Sequence, residues 1–166
     1  MKRNSSEIET AKHTHKLALL LKRFGFNIQL LHYGFRAWCI EIMISGFNFF
    51  VLMNLIYEPK IGYLAAHQIG MTTRILYIFV IAYFLLRKVK QYTTKDLVHV
   101  GLFWLGMTLT FEWGGSFIIR RPVSEIIEGW NICKGYMWPY VLLSYLLSNL
   151  IVGTAKGEYH AKPNHY

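Results

Sequence analysis

The sequence predicts an all-α polytopic membrane protein: an antiparallel four-transmembrane-helix bundle preceded by an N-terminal amphipathic interfacial helix. Three observations predict it. Four apolar stretches are separated by short polar links, and each is close to the roughly 20 residues a helix needs to cross a bilayer. Hydrophobic residues make up 54% of the 166-residue chain, charged residues only 16%, and the mean hydropathy is +0.28. A soluble domain averages roughly a quarter charged residues. Finally, lysine and arginine collect in alternate links, as a membrane topology requires.

Residues 1–12 are polar and carry no short apolar core ending in small residues, so no secretory signal is read there. From His13 to Tyr33, leucines and Phe24 alternate with Lys16, Lys22 and Arg23. That is too charged to span and suits a helix lying among lipid headgroups. Residues 1–36 therefore form a cytoplasmic tail and interfacial helix. The first span covers about 37–57, an uncleaved anchor that opens on Trp38 and stops before Glu58 and Pro59. The second covers about 69–86 and ends at Arg87 and Lys88. The third covers about 97–119, between Asp96 and Arg120. Residues 122–134 make a longer polar connection. The fourth covers about 135–153, with Pro139 in its first turn, where a missing N–H costs least. Residues 154–166 form a polar tail.

Thirteen lysines and arginines lie on the side of the two termini and the 87–96 link, against Lys60, Arg120, Arg121 and Lys134 on the other. That bias predicts both termini in the cytoplasm and a bacterial inner-membrane protein. It also accounts for the net charge of +9 without nucleic acid, since no basic stripe with stacking aromatics stands apart from the spans. The bilayer is the expected partner, with a second copy or another membrane protein beside it. Cys39 and Cys133 fall near opposite ends of the membrane thickness, so no disulfide is expected.

One carboxylate needs an explanation. Glu112 lies within the third span, roughly 22 Å along its helix from the cytoplasmic entry. Arg74 lies roughly 8 Å into the second span from the opposite side. In a hydrocarbon core about 30 Å thick both sit at nearly the same level. A lone charge there costs about 2.5–3.5 kcal/mol, so a Glu112–Arg74 pair is predicted. Glu41, Asp96 and His99 lie near span ends and are read as snorkelling to the interface. The outer side gathers Glu58, His67, Gln68, Trp113, Arg120 and Asn131, and with Glu112 and Arg74 these form the candidate functional cluster. Gly114, Gly115 and Ser116 permit close approach of a helix or ligand, and Ser144, Ser148 and Asn149 suit close helix packing. Trp130, Tyr136, Trp138 and Tyr140 read as an aromatic belt.

No HExxH, GxSxG, Walker or CxxC motif is present, and no cofactor or metal site is predicted. Ala66-His67-Gln68, Phe111-Glu112-Trp113 and Asn131…Gly135…Trp138 together resemble a family of small four-span bacterial membrane proteins to which no activity is assigned. The resemblance covers about residues 40–153 and implies no reaction. The favoured expectation is a non-enzymatic protein that binds a lipid or a membrane partner through the outward polar cluster. An oligomeric small transporter or channel subunit using Glu112 and Arg74 is the alternative. A membrane enzyme acting on a lipid-like substrate, with His67, Glu112 and Asn131 as its polar groups, is a further one.

Overall fold

The computed structural model describes residues 27–89, 91–118, 120 and 122–156. It is helical, with no strand among the described residues. We label the helices α1 (Ile28–Ile61), α2 (Tyr63–Lys88), α3 (Thr94–Ile118), α4 (Val123–Glu128) and α5 (Trp138–Ala155).

The first helix starts nine residues earlier than the span expected at 37. Asn27 caps it by accepting a bond from the Leu30 amide at 3.1 Å. Residues 28–36, expected to lie in an interfacial helix, are therefore the opening turns of α1. The rest of that expected helix, up to residue 26, lies outside the described residues. Within α1, Asn48–Tyr57 is wound as a π-helix, and Glu58–Ile61 completes the helix as an α-turn. The connection expected between spans ending near 57 and starting near 69 shrinks to Gly62, whose φ of +81° is open to glycine. Pro59 does not end the helix, because it stands in the first turn of the renewed α-segment, where its missing N–H is tolerated. The third helix is opened by a reciprocal cap. The Thr93 amide donates to Asp96 Oδ2 at 2.8 Å, and the Asp96 amide donates to Thr93 Oγ1 at 3.3 Å. Asp96 is thus a buried helix cap.

Three helices, α1, α2 and α5, are long and apolar enough to cross a membrane. α3 has 25 residues, about 37 Å of helix, but His99, Glu112 and its polar first turn make it less apolar.

The four long helices form two hairpins set side by side. Trp104 Nε1 donates to the Gly34 carbonyl at 2.8 Å, and Trp38 Nε1 donates to Thr108 Oγ1 at 2.9 Å. Four residues on each helix separate these bonds, so α1 and α3 run in the same direction. Arg74 bonds Tyr145, and Lys156 reaches the Leu86 carbonyl, so α2 and α5 also run together. α2 packs on α1 and α5, and α3 closes the ring by packing on α5 and α1. The proximal end holds Asn27, the 89–93 link and Lys156. The distal end holds Gly62 and the connection between α3 and α5. At the α3–α5 crossing, a Cβ on Gly101 would collide with the Leu146 carbonyl, so glycine is what lets the backbones meet.

Polarity is arranged inside out. Glu41, Arg74, Asn48, Thr108, Ser148 and Asn149 are buried, while Phe50, Leu55, Leu76, Phe84, Leu102 and Leu143 face outward. Water does not reward that pattern; lipid does.

Candidate functional site

The polar interior centres on Arg74. Glu41 and Ser45 lie four residues apart on α1, and Arg74 and Tyr77 three apart on α2, so each pair shares a helix face. Trp138 and Tyr145 lie two turns apart on α5. The Arg74 side chain is consequently met from every long helix. Its Nε donates to Glu41 Oε1 at 3.2 Å, Nη1 to Glu112 Oε1 at 3.2 Å, and Nη2 to the Tyr145 hydroxyl at 2.9 Å. Its guanidinium carbon lies 5.3 Å from the centre of the Trp138 ring and 5.7 Å from that of Tyr145. Ser45 Oγ donates to Glu41 Oε1 and lies 2.7 Å from the Tyr77 hydroxyl. Trp104 braces Tyr145 edge to face.

The two carboxylates are not equivalent. Glu41 is 0% exposed. The Glu112 side chain is 37% exposed. The reason lies in α3. Its buried residues end at Thr108; beyond them Phe111 is 53% and Ile118 82% exposed, and Gly115 is bare. A Cβ on Gly114 or Gly115 would meet nothing within 4 Å among the described residues. Glu112 therefore stands at the edge of the bundle, where the last part of α3 is uncovered.

Glu41 was expected to snorkel; it instead holds Arg74 in the core. With α1 beginning at Ile28, Glu41 lies thirteen residues along it, about 20 Å from its start, which is too deep to reach the near interface. Tyr145 was not anticipated as part of the site. Trp138, read as a belt residue, turns its ring to Arg74. The outer cluster splits. His67 is buried, lies alongside Tyr63 and meets Tyr136 edge to face with 5.3 Å between ring centres. It is seven residues from Arg74, about 10 Å along the helix. Gln68 Nε2 donates to the Gly135 carbonyl at 3.2 Å, tying α2 to the distal connection. Asn131 is exposed and caps the short turn Ile132–Lys134. Trp113 packs edge to face on Phe117. Glu58 opens the last turn of α1, and Arg120 is exposed with a left-handed φ of +55°. Of the eight residues, Arg74 and Glu112 are joined by an ion pair. His67 and Asn131 do not converge with Glu112 on one polar cavity.

The arrangement offers a buried guanidinium whose three donor arms are all occupied by the protein. Among the described residues no three His, Cys, Asp or Glu side chains are placed to hold a metal ion. Comparison of the chain with known protein families, curated proteins and solved structures finds no match.

Proposed function

We propose that the protein is a non-enzymatic, four-span integral membrane protein of the bacterial inner membrane that binds a lipid or membrane-protein partner along the uncovered distal part of α3. The Arg74 network keeps the four helices in register, and Glu112 is its point of contact with the partner. The observation that carries this reading is the break in packing beyond Thr108, which leaves Glu112, Gly114 and Gly115 accessible beside a fixed charge network. Small residues let another chain or an acyl tail approach the backbone, and a carboxylate in that position supplies a polar anchor. The engagement of all three Arg74 nitrogens by protein groups and the distance of His67 weigh against an enzymatic site. The lysine and arginine bias supports placing the proximal end in the cytoplasm. Although α3 is not among the helices long and apolar enough to cross by themselves, its pairing with α1 and α5 supports reading it as a fourth span.

The test is a photo-crosslinking amino acid placed at Phe111 and, as a control, at Val80 on the outward face of α2. A defined protein adduct, or one lipid class enriched over the bulk composition, is expected at position 111 alone. Equal labelling by bulk lipid at both positions would refute the docking face. The transporter alternative draws on the same exposed carboxylate. A substrate- or proton-driven flux in liposomes that is lost in Glu112→Gln would favour it.

A further inference from the structure

We propose that the adjoining C-terminal ends of α2 and α5 bind the phosphate of an anionic phospholipid, with Arg87 and Lys156 as its cations and the Tyr83 ring as the platform that gathers them. The site lies at the opposite end of the bundle from the uncovered α3 face and stands whatever docks there.

Three side chains from two helices make it. Tyr83 and Arg87 lie four residues apart on α2 and so share a face. The Arg87 guanidinium carbon stands 5.8 Å from the centre of the Tyr83 ring. Lys156, at the end of α5, crosses to the same ring, its Nζ 6.0 Å from the centre, and donates to the Leu86 carbonyl at 3.4 Å. Two cations carried by different helices thus converge on one tyrosine. Arg87 is exposed, and its guanidinium makes no hydrogen bond or ion pair among the described residues.

Charge selects the ligand. Like charges brought together repel, and an anion between them relieves it. The one acid at this end among the described residues is Asp96, which is buried and engaged by the Thr93 amide and hydroxyl. The helix ends supply no donors of their own. They present carbonyls, which repel an anion, and Lys156 already occupies the Leu86 carbonyl. Binding therefore rests on the side chains. A guanidinium matches two phosphate oxygens with parallel N–H donors, and the ammonium adds a point charge beside it.

Depth selects the source of the phosphate. Arg87 lies in the last turn of α2 and Lys156 follows the last turn of α5, so both stand where the apolar helices stop. One turn deeper, Tyr83 and Phe84 are exposed on the outward face of α2. A phospholipid carries its phosphate at the first level and its upper acyl chains at the second, where aromatic rings meet them. A soluble phosphate would gain nothing from the rings.

The full-length chain in detergent is given an equimolar mixture of phosphatidylglycerol and phosphatidylcholine with the same acyl chains, and retained lipid is counted by native mass spectrometry. Wild type is expected to retain phosphatidylglycerol in preference. Arg87→Gln and Lys156→Gln are each expected to reduce that preference about fivefold. Lys60→Gln removes the same charge at the distal end and is expected to change nothing. Tyr83→Leu leaves the net charge alone and is expected to weaken the preference. Arg87 is exposed, so its substitution leaves the fold intact and suffices if the others do not fold. Inorganic phosphate is expected not to displace the lipid. Equal retention of the two lipids by wild type, or equal losses in Lys60→Gln and Arg87→Gln, would overturn the proposal. Displacement by inorganic phosphate would overturn a lipid as the ligand.

Discussion

Replacing Arg74 with glutamine is the sharpest perturbation of the bundle. The substitution keeps a polar side chain of similar reach but removes the positive charge that two carboxylates share. Glu41 is fully buried, so solvent screening gives it little relief. Removing one partner of a buried pair costs about 3–5 kcal/mol, because the survivor is left uncompensated or must take up a proton. The bond to Tyr145 and the contacts with two aromatic rings add roughly 1 kcal/mol each in water. Chains unfolded within a membrane find substitute partners, which reduces those additions to a few tenths. The expected loss for Arg74→Gln is therefore about 3–5 kcal/mol. Glu112→Gln should cost only about 1 kcal/mol, since the amide oxygen still accepts from Arg74 and Glu41 still balances the guanidinium charge. The double variant Glu41→Gln, Arg74→Gln should be more stable than Arg74→Gln alone, since no bare charge remains at Glu41. Reversible unfolding in mixed micelles, driven by rising SDS fraction and followed by tryptophan fluorescence, measures all of these. An Arg74→Gln variant within about 1 kcal/mol of wild type would refute the reasoning. So would a Glu112→Gln variant as damaged as Arg74→Gln.

Two further outcomes follow from helix contacts and topology. Gly101→Ala should destabilise by about 1–3 kcal/mol, because the new methyl meets the Leu146 backbone, while Gly106→Ala, with open space around it, should be neutral or up to about 1 kcal/mol more stable. The same unfolding titration separates them. A membrane-impermeant maleimide added to intact cells should modify the exposed Cys133 and fail to do so after Cys133→Ser; labelling only after permeabilisation would reverse the proposed orientation.

The Arg74–Glu112 contact could be read in advance because it rests on counting. Two charges in apolar runs, entered from opposite sides, come level when each residue contributes about 1.5 Å. Glu41 escaped the same count because Arg36 and His32 looked like the end of an interfacial segment. A span begun at Ala37 puts Glu41 barely a turn from the interface. The helix begins at Asn27 instead, and that start sets the depth. A signal was nevertheless present: Glu41 and Ser45, four apart within an apolar helix, mark a polar face directed inward. The separate contacts of the outer residues have a different reason. His67, Gln68 and Asn131 share the distal end, but a level in the membrane does not fix rotation about a helix. His67 turns to Tyr136, Gln68 to Gly135, and Asn131 caps its own turn. Tyr145 gave no warning, since a tyrosine in an apolar helix carries no sign of what its hydroxyl will meet.

The position of Arg74's partners along the chain bears on how the protein is made. Glu41 precedes Arg74, and the helices that bear them are joined by a single residue, Gly62. As the chain leaves the ribosome, the arginine is thus delivered with a compensating acid already upstream. The first hairpin can pass from the insertion machinery into lipid with its buried arginine already balanced, before Glu112 or Tyr145 has been synthesised. The second hairpin then joins a centre that already exists. Exchanging Glu41 and Arg74 would preserve the charges, and so the order of delivery, while disturbing the Tyr145 contact. Moving the acid to the second hairpin would leave a naked cation waiting in the bilayer.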